Sequence, residues 1–297
     1  MGVLDAIPAY SDLAKSDALT RNRWDAQIQK YQQYEYYYSG DVFNEKVDDA
    51  ELIDPPSLYP VGINLVKLLC QSLSDATFGE WESLPVWFST RRDVEETTNT
   101  EKAAKELNNM LFASDFESVA LEMELQRMLF GASVLKLRPN LRFKGVEVLP
   151  VKPSTFFPVF NPNNRNRLIE AHTSKYISRA QAKAFFAYKG KKDEVLLEEH
   201  WTLKDHEVVL DGEMRIPQFS GKNPYGLVPF VYIPRMRSTG TYGDSIADDI
   251  IPVQNELNMR VADIGEAINY NAHPTRYGIN LPLDFDSETY PIGSDSM

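Results

Sequence analysis

The sequence predicts an α+β protein, because helical and strand-like patterns occupy separate stretches of the chain. Apolar residues recur at helical spacing before residue 131 and again after residue 243. Residues 132–234 instead contain short alternating runs separated by turn signals. We therefore expect a helical N-terminal region, a mixed antiparallel β region, a long helix and, last, short extended β segments.

The composition is that of an ordinary globular protein of one or two domains. The chain has 297 residues, of which 43% are apolar and 25% charged. No apolar run approaches the roughly 18 residues that a membrane span needs, so we expect no membrane partner. The single cysteine, Cys70, lies in an apolar run and is interpreted as an inert core thiol.

The net charge of −12 limits how the protein can contact nucleic acid. Broad neutralisation of phosphates requires clustered Lys and Arg. Any contact with DNA is therefore expected to be loose or confined to local patches.

Four helices are expected in the N-terminal region, over 20–38, 62–78, 101–113 and 115–130. The first ends near Gly40, and the acidic stretch 41–56 is interpreted as a loop. A short strand is predicted over 86–90. The sequence Ser114 to Glu117 predicts a Ser-x-x-Glu capping box at the start of the fourth helix.

The β region, 132–234, contains eight strand-like runs and one interrupting helix, predicted over 178–188. Asp211-Gly212 is a typical two-residue turn, so the strands that flank it are expected to pair as a hairpin.

A long helix is predicted from a cap at Asp244 or Ser245 to about Asn271, a length of roughly 40 Å. Pro252 is expected to kink it or to mark where its regular part begins. One apolar stripe runs along it: Ile246, Ile250, Val253, Leu257, Val261, Ile264 and Ile268. The other faces carry one cation, Arg260, and six acids: Asp244, Asp248, Asp249, Glu256, Asp263 and Glu266.

No nucleotide, cofactor or metal site is expected. Gly221-Lys222 lacks the earlier glycine and the following Ser or Thr of a phosphate-binding P-loop. Only His200 and His206 are close in sequence, and their separation near a hairpin is not a typical spacing of metal ligands.

Residues 243–247, GDSIA, are similar to the nucleophile elbow of serine hydrolases. That elbow needs a strand running directly into the serine, whereas the preceding strand is predicted to end near Ile233. A helix cap explains Ser245 better. We expect no enzymatic activity, and a hydrolase that uses Ser245 with His273 as its base is the less favoured alternative.

The most specific segment of the chain is 228–278. It runs through a Val-Pro-Phe strand, a loop, Tyr-Gly-Asp-Ser, a long helix with Gln-Asn-Glu-Leu-Asn at 254–258, and a Pro-x-x-x-Gly strand start. This order resembles the portal proteins of tailed double-stranded DNA bacteriophages, which are the subunits of the head–tail connector ring. Earlier segments resemble the family in the same order: the Tyr-rich helix 31–40, the Asn-Leu helix 64–79 and the helix–Gly–strand step 129–133.

The resemblance implies a wing domain over 1–234, a loop and stem helix over 235–272, and the start of a clip over 273–297. Portal subunits continue beyond the clip into a second stem helix, a channel-facing loop and usually a crown. The resemblance therefore covers the N-terminal part of such a subunit and implies that Met297 lies inside the clip.

The function that the resemblance implies is structural. Portal subunits form a closed ring of usually about twelve copies at one vertex of the virion capsid, for genome packaging and ejection. Assembly would take place in the host cytoplasm. The implied partners are further copies of the chain, the terminase large subunit, head-completion or adaptor and tail proteins, major capsid and scaffolding proteins, and double-stranded DNA passing with weak contacts.

In this interpretation the apolar stripe packs against neighbouring subunits, and the acids are candidates to face DNA in the channel. The candidates are Asp248, Asp249, Glu256, Asp263 and Glu266. Repulsion between like charges would leave a duplex free to slide. An acidic face with one apolar stripe is also common on ordinary surface helices, so another head-assembly structural protein stays as the alternative.

Overall fold

The computed structural model describes residues 18–43, 62–78, 98–140, 145–212, 214–237 and 242–272. In these ranges helices and antiparallel strands occupy separate stretches, which confirms the predicted α+β class. The α-helices are α1 (Ala18–Ser39), α2 (Leu65–Phe78), α3 (Thr98–Ala113), α4 (Phe116–Phe130), α5 (Arg179–Phe186) and α6 (Ala247–Ala272). The strands are β1 (Ala132–Asn140), β2 (Gly145–Val151), β3 (Phe156–Asn161), β4 (Asn164–Ser178), β5 (Glu194–Thr202), β6 (Asp205–Leu210), β7 (Met214–Arg215), β8 (Gly221–Lys222) and β9 (Phe230–Pro234).

The strands form two antiparallel sheets. The first has the order β2-β1-β9, with Val134 of the central strand paired to Val151 on one side and Tyr232 on the other. The second has the order β3-β4-β5-β6-β7, and β8 also pairs with β6. Since β9 returns to β1 after the whole second sheet, the chain enters α6 from the same sheet into which α4 leads.

Five buried clusters occur among the described residues, and the three largest hold most of these layers together. The first lies among α1, α2, α4 and the start of α6, and includes Tyr31, Val66 and Phe130. The second lies where the two sheets face each other, around Phe156, Trp201, Phe230 and Tyr232. The third lies beneath α5 and is formed by Ala182, Tyr188, Val195, Leu197, Val208, Leu210 and Ile216. Apolar burial of this kind is the main force that fixes α6 against the rest of the chain.

Cys70 is fully buried in the first cluster, which confirms its prediction as a core thiol. Burial raises the pKa of this thiol to about 12. A thiol in such surroundings stays protonated at neutral pH and is a poor nucleophile.

The capping box predicted at Ser114 is wrong. Asp115 occupies the N-cap position of α4 in the left-handed region, with φ of 50°, and makes no side-chain cap. The Ser114 hydroxyl instead donates to the carbonyl oxygens of Met110 and Val146. A tight turn between α3 and α4 prevents the extended backbone that a capping serine requires. A capping box does form at the start of α5, where the Ser178 hydroxyl accepts from the Gln181 N–H.

Two predicted helices are shorter than expected, and the predicted hairpin is confirmed. Residues 62–64 precede α2, because Asn64 caps it from outside. Helix α5 ends at Phe186, since Ala187 is left-handed. Asp211 and Gly212 both have positive φ, and β6 pairs with β7 across them. Leu210 lies opposite Met214, so three residues rather than two separate the paired strands.

Some predictions concern segments outside the described residues. These are the strand 86–90, most of the loop 41–56 and the extended segments 273–297. At the start of the loop, Asp41–Phe43 forms a 3-10 turn.

Candidate functional site

The N-terminus of α6 is built directly against the C-terminus of α4. The hydroxyl of Ser245 donates to the carbonyl oxygen of Leu129 and accepts a 2.9 Å hydrogen bond from the N–H of Ala247. The N–H of Ile246 donates to the carbonyl oxygen of Met128 at 3.3 Å. One buried serine therefore satisfies the end of one helix and the start of the next, both of which otherwise leave polar backbone groups unpaired.

Two glycines allow this close approach. Gly131 ends α4 in the left-handed conformation with φ of 76°, and its carbonyl oxygen accepts from the N–H of Arg235 at 2.8 Å. A Cβ atom on Gly131 would overlap the carbonyl oxygen of Gly243, and a Cβ atom on Gly243 would overlap that of Gly131. Both positions need glycine because the two backbones are in direct contact.

Side-chain amides attach the middle of α6 to the start of α2. Gln254 is fully buried, and its side-chain oxygen accepts from the N–H of Val66 at 3.0 Å. Asn258, one turn later, accepts from the N–H of Ile63 at 3.1 Å and donates to the carbonyl oxygen of Ile63. The i, i+4 spacing of the two amides places them on one face of α6.

Asn64 joins the same region to α1. Its side-chain amide donates to the carbonyl oxygens of Tyr37 and Tyr38, which lie in the last turn of α1. Its side-chain oxygen accepts from the N–H of Lys67 at 2.8 Å, which caps α2. The three helices α1, α2 and α6 are therefore locked to one another by amide side chains as well as by apolar packing.

Tyrosines of α1 bind the polar side of α6. The hydroxyl of Tyr34 donates to Asp248 Oδ1 at 2.6 Å, and the amide of Asn255 donates to the Tyr37 hydroxyl at 2.9 Å. Burial of Tyr34 and the carboxylate of Asp248 together raise the pKa of the Tyr34 hydroxyl. Asp248, a predicted channel acid, thus has a structural partner within its own chain.

The face by which α6 packs on its own chain differs from the predicted stripe. At about 100° per residue, the packed face and the predicted stripe are centred about 100° apart around the helix. The residues of the packed face are Ala247, Ile251, Gln254, Asn258 and Ala262. Since the packed face contains two amides, periodicity of apolar residues alone could not identify it.

The predicted stripe changes character along its length. Ile246 is buried and Ile250 half-buried in the helical core, and Val261 is half-buried farther along. The other stripe residues are exposed, with accessible fractions of 60% for Val253, 37% for Leu257, 57% for Ile264 and 64% for Ile268. The stripe therefore joins the core at its first turns and then continues as an uncovered apolar surface.

The acids of α6 lie mainly on a third face. Asp249, Glu256 and Asp263 are exposed and centre about 100° from the apolar stripe, on the side away from the packed face. Arg260 pairs with Glu256 at 2.8 Å and lies 3.8 Å from Asp263. Glu266 is half-buried on the flank of this face. One helix thus presents a packed, an apolar and an acidic face.

Groups that suggested chemistry in the sequence have other contacts here. Ser245 is 3% exposed, and its hydroxyl both donates and accepts a hydrogen bond to backbone groups. His273 lies outside the described residues. His200 binds Glu170 at 2.7 Å, and His206 stacks on Trp201. No cluster of three or more His, Cys, Asp or Glu side chains suited to a metal occurs among the described residues.

A cleft of about 870 Å³ lies between the two sheets and reaches to α5. Its wall contains the ion pair of Lys136 with Glu199, and the Trp201 indole N–H donates to the same carboxylate at 3.2 Å. The ring of Phe230 lies beneath the Lys136 ammonium. Most of the remaining wall is apolar or aromatic, although Arg138, Glu147 and Lys175 also line the cleft.

The residues that organise the site were not predicted as functional. In the sequence, these residues, Tyr34, Asn64, Gln254 and Asn258, stand out only as parts of segments that resemble portal proteins. A single sequence gives little indication that such amides are buried contacts, since amides usually face solvent. The i, i+4 pair Gln254 and Asn258 beside an apolar stripe is the one pattern that indicates a second, polar packing face.

Comparison with protein-family models and with curated proteins finds no match to the chain. None of the described helices combines the length and apolar character needed to span a bilayer.

Proposed function

We propose that the chain is a structural, non-enzymatic subunit of a tailed-phage portal ring, in which α6 is the stem helix. The observation that carries this proposal is the exposed apolar stripe on α6, which lies apart from the face that packs on the chain's own domain. A helix that packs through one face and exposes a second apolar face is suited to contact another subunit. The resemblance of residues 228–278 to portal proteins supports the same assignment of α6.

The energetics of the exposed stripe favour association. Burying a Val, Leu or Ile side chain contributes about 1.5–3 kcal/mol, so four such residues at each interface are a substantial driving force. In a ring each subunit uses different surfaces toward its two neighbours, so the stripe would face one neighbour and pack on a different surface of it.

The acidic face is proposed to face the channel. Asp249, Glu256 and Asp263 would present carboxylates to the duplex, and repulsion would prevent DNA from adhering to the wall. Asp248 has a lesser part in this surface because Tyr34 binds its carboxylate. In this proposal the chain resides at the portal vertex of the virion. It contacts the terminase large subunit, head-completion and tail proteins, and the capsid and scaffolding proteins.

The first test is the mass of the particle. Native mass spectrometry and negative-stain images of the expressed chain should give a closed ring of about a dozen subunits. A stable monomer or dimer at high protein concentration would reject the proposal.

A second test changes the stripe. The double substitution Ile264→Asn and Ile268→Asn removes two exposed apolar side chains and should dissociate the ring without unfolding the chain. Leu203→Asn with Met214→Asn is the matched control, since these residues are also exposed but lie away from α6, Leu203 in the turn between β5 and β6 and Met214 in β7. Equal dissociation by both pairs would show that the stripe of α6 is not the interface.

The role of the acids has its own test. Glu256→Lys with Asp263→Lys should slow DNA translocation in a packaging assay, because the new cations attract phosphates. Glu117→Lys with Glu122→Lys on α4 changes the net charge equally and should leave the rate unchanged. A wild-type rate for the α6 pair would refute a channel-facing acidic surface.

The expressed protein and its variants also distinguish two alternative functions. Another head-assembly structural protein would form a particle without a central hole or with a different copy number. A hydrolase would lose turnover of an ester substrate in Ser245→Ala, whereas a helix cap loses about 1–2 kcal/mol of stability in that variant. The two hydrogen bonds of the Ser245 hydroxyl favour the cap.

A further inference from the structure

Helix α2 presents leucines to solvent on one side. Its packed side is formed by Val66, Cys70 and Ser74, which are buried. At about 100° per residue, the leucines centre about 120° from that side. Three of them are exposed, with accessible fractions of 58% for Leu68, 37% for Leu69 and 42% for Leu73. The set is called the leucine face below and consists of Leu65, Leu68, Leu69 and Leu73.

The leucine face is contiguous. Leu65 is half-buried and lies three residues before Leu68 and four before Leu69, and Leu73 follows Leu69 by four. Residues three or four apart are neighbours on a helix surface, so the four side chains form one patch. A contiguous exposed apolar patch indicates an interaction site, whereas single exposed apolar residues are common on any soluble protein.

The described side chains of α3, α4 and α5 offer no comparable patch. Leu107 and Phe112 of α3 are exposed but lie about 140° apart around the helix. On α4 and on α5 the large apolar side chains that are exposed stand singly, as Leu121 and Phe185. The leucine face and the stripe of α6 are therefore two apolar helix surfaces of similar kind in one chain.

Charge decides which of these surfaces can meet. Helix α6 carries five acids against one arginine, so two α6 helices packed stripe to stripe would bring like charges together. Juxtaposed like charges across an interface are strongly unfavourable. Helix α2 carries Lys67 and Asp75 and so has no net charge. The leucine face therefore offers the stripe apolar contact without that repulsion.

The spacing of the two surfaces suits direct helix packing. Ile264 and Ile268 form an i, i+4 row on α6, and Leu69 and Leu73 form such a row on α2. When rows of this spacing from two helices interdigitate, the axes cross at about 50°, the commonest class of helix contact.

The two surfaces do not cover each other within one chain. Gln254 and Asn258 attach the start of α2 to the packed face of α6, which centres about 100° from the stripe. With α2 held there, both the leucine face and the far end of the stripe stay exposed. The occupant that suits each surface is thus the other surface on a second copy.

We infer that the leucine face of α2 receives Ile264 and Ile268 of α6 from a neighbouring copy of the chain. The inference rests on the proposed function, which places the stripe against a neighbour, and it adds which surface of that neighbour is met. Because the two surfaces differ, the contact is heterologous, and its head-to-tail repetition closes a ring where the rotation between copies allows. Removal of both apolar surfaces from water drives the association.

Disulfide formation between two chains tests the contact. Ile264→Cys and Leu69→Cys are placed in separate full-length chains with tags of different size, which are co-expressed and then oxidised. We expect a cross-link between the two differently tagged chains, and none for either variant alone. The wild-type chain gives the background, since Cys70 is buried. Phe112→Cys replaces Leu69→Cys in the matched control and should not cross-link to Ile264→Cys.

A charge exchange tests whether assembly depends on the contact. Leu69→Lys with Leu73→Lys should raise the protein concentration for half-assembly at least about tenfold, because unpaired charges are costly to bury. Adding Ile264→Glu with Ile268→Glu to the same chain should restore assembly, because the new charges are opposite. Analytical ultracentrifugation measures the assembly, and thermal melts verify that each variant folds.

Leu107→Lys with Phe112→Lys is the matched control for the charge exchange. These residues are also exposed and apolar, and the change of net charge is equal, but they lie on α3. The control should assemble as the wild type does. Equal loss in the control and in the α2 variant would indicate net charge alone and would overturn the inference.

Further outcomes separate this inference from the portal proposal. Rings that form without the Leu69–Ile264 cross-link, or that cross-link Ile264→Cys to itself, would overturn the inference and leave the portal proposal standing. An assembly without a central hole that still forms the cross-link would reject the portal ring and support the contact. A stable monomer of the wild-type chain would reject both.

Discussion

The hydroxyl of Tyr34 donates a 2.6 Å hydrogen bond to Asp248 Oδ1 and so joins α1 to the first turn of α6 across 214 residues of sequence. Tyr34 is 2% exposed, and burial is the main cause that raises the pKa of its hydroxyl. A buried phenol must keep a hydrogen-bond partner, and here the partner is a carboxylate at the N-terminal end of a helix, where negative charge is favoured.

Tyr34→Phe removes only the hydroxyl and leaves the ring in the core. We expect a loss of about 1–2 kcal/mol in the free energy of unfolding, because hydrogen bonds to charged groups exceed neutral ones. Urea denaturation measures this loss. Tyr37→Phe, which removes an exposed neutral bond to Asn255, should cost about 0.5 kcal/mol, and an equal cost for both variants would argue against the role of Asp248.

Gly131→Ala should be one of the most destabilising single changes in the chain. Alanine in the left-handed conformation costs about 1 kcal/mol of backbone strain. Its Cβ atom would also overlap the carbonyl oxygen of Gly243, so α4 and α6 would have to move apart. We expect a total above about 3 kcal/mol, or failure to fold.

Gly212→Ala is the control for the Gly131 prediction. Its φ of 72° is nearly that of Gly131, but a Cβ atom there meets no heavy atom within 4 Å. It should therefore lose about 1 kcal/mol, which is the backbone strain alone. Equal losses of unfolding free energy in Gly131→Ala and Gly212→Ala, measured by thermal or urea unfolding, would show that the contact with Gly243 is not rigid.

Asn64 should be needed as a donor and as an acceptor. Asn64→Ala removes the cap of α2 and the bonds to the carbonyl oxygens of Tyr37 and Tyr38, a loss of about 2–3 kcal/mol. Asn64→Asp keeps the cap but places a carboxylate against two carbonyl oxygens, so it should also destabilise. Full stability of the Asp variant in urea would show that the bonds to α1 contribute nothing. Asn271→Ala at the end of α6 serves as the near-neutral control.

The pair of Lys136 and Glu199 should make stability depend on pH. Burial alone would raise the pKa of Glu199. The charge of Lys136 and the hydrogen bonds from Lys136 and the Trp201 N–H outweigh that effect, so the pKa is lowered overall. A carboxyl group whose pKa is lower in the folded state stabilises the fold at pH values above its pKa in the unfolded chain, which is about 4.3 for Glu. That stabilisation is lost as the pH falls through the pKa of the group in the folded protein.

We therefore expect Glu199→Gln to flatten the fall in unfolding free energy between about pH 5 and pH 3. Glu147→Gln, at the more exposed pair with Arg138, is the matched control and should change the curve little. An unchanged pH curve in Glu199→Gln would contradict the assigned cause. Urea denaturation at several pH values gives the curves.

Much of the secondary structure could be predicted because its signals are local. The helices α1 and α4 follow from apolar spacing and terminal glycines, and the hairpin at Asp211-Gly212 follows from two residues that tolerate positive φ. The capping box at Ser114 failed because the tight turn between α3 and α4 places Asp115, in the left-handed conformation, at the N-cap of α4. The Ser114 hydroxyl bonds instead to the carbonyl oxygens of Met110 and Val146, so the motif described a preference that the turn overrode.

For α6, the sequence by itself determined a long helix with one apolar stripe and an excess of acids, because periodicity and charge are properties of neighbouring residues. Only the tertiary structure decided that the helix packs on its own chain through Gln254 and Asn258 and leaves Ile264 and Ile268 exposed. The physical reason is that the hydrogen bonds of buried amides exist only after the chain brings distant residues together, whereas periodicity and charge can be read along the chain.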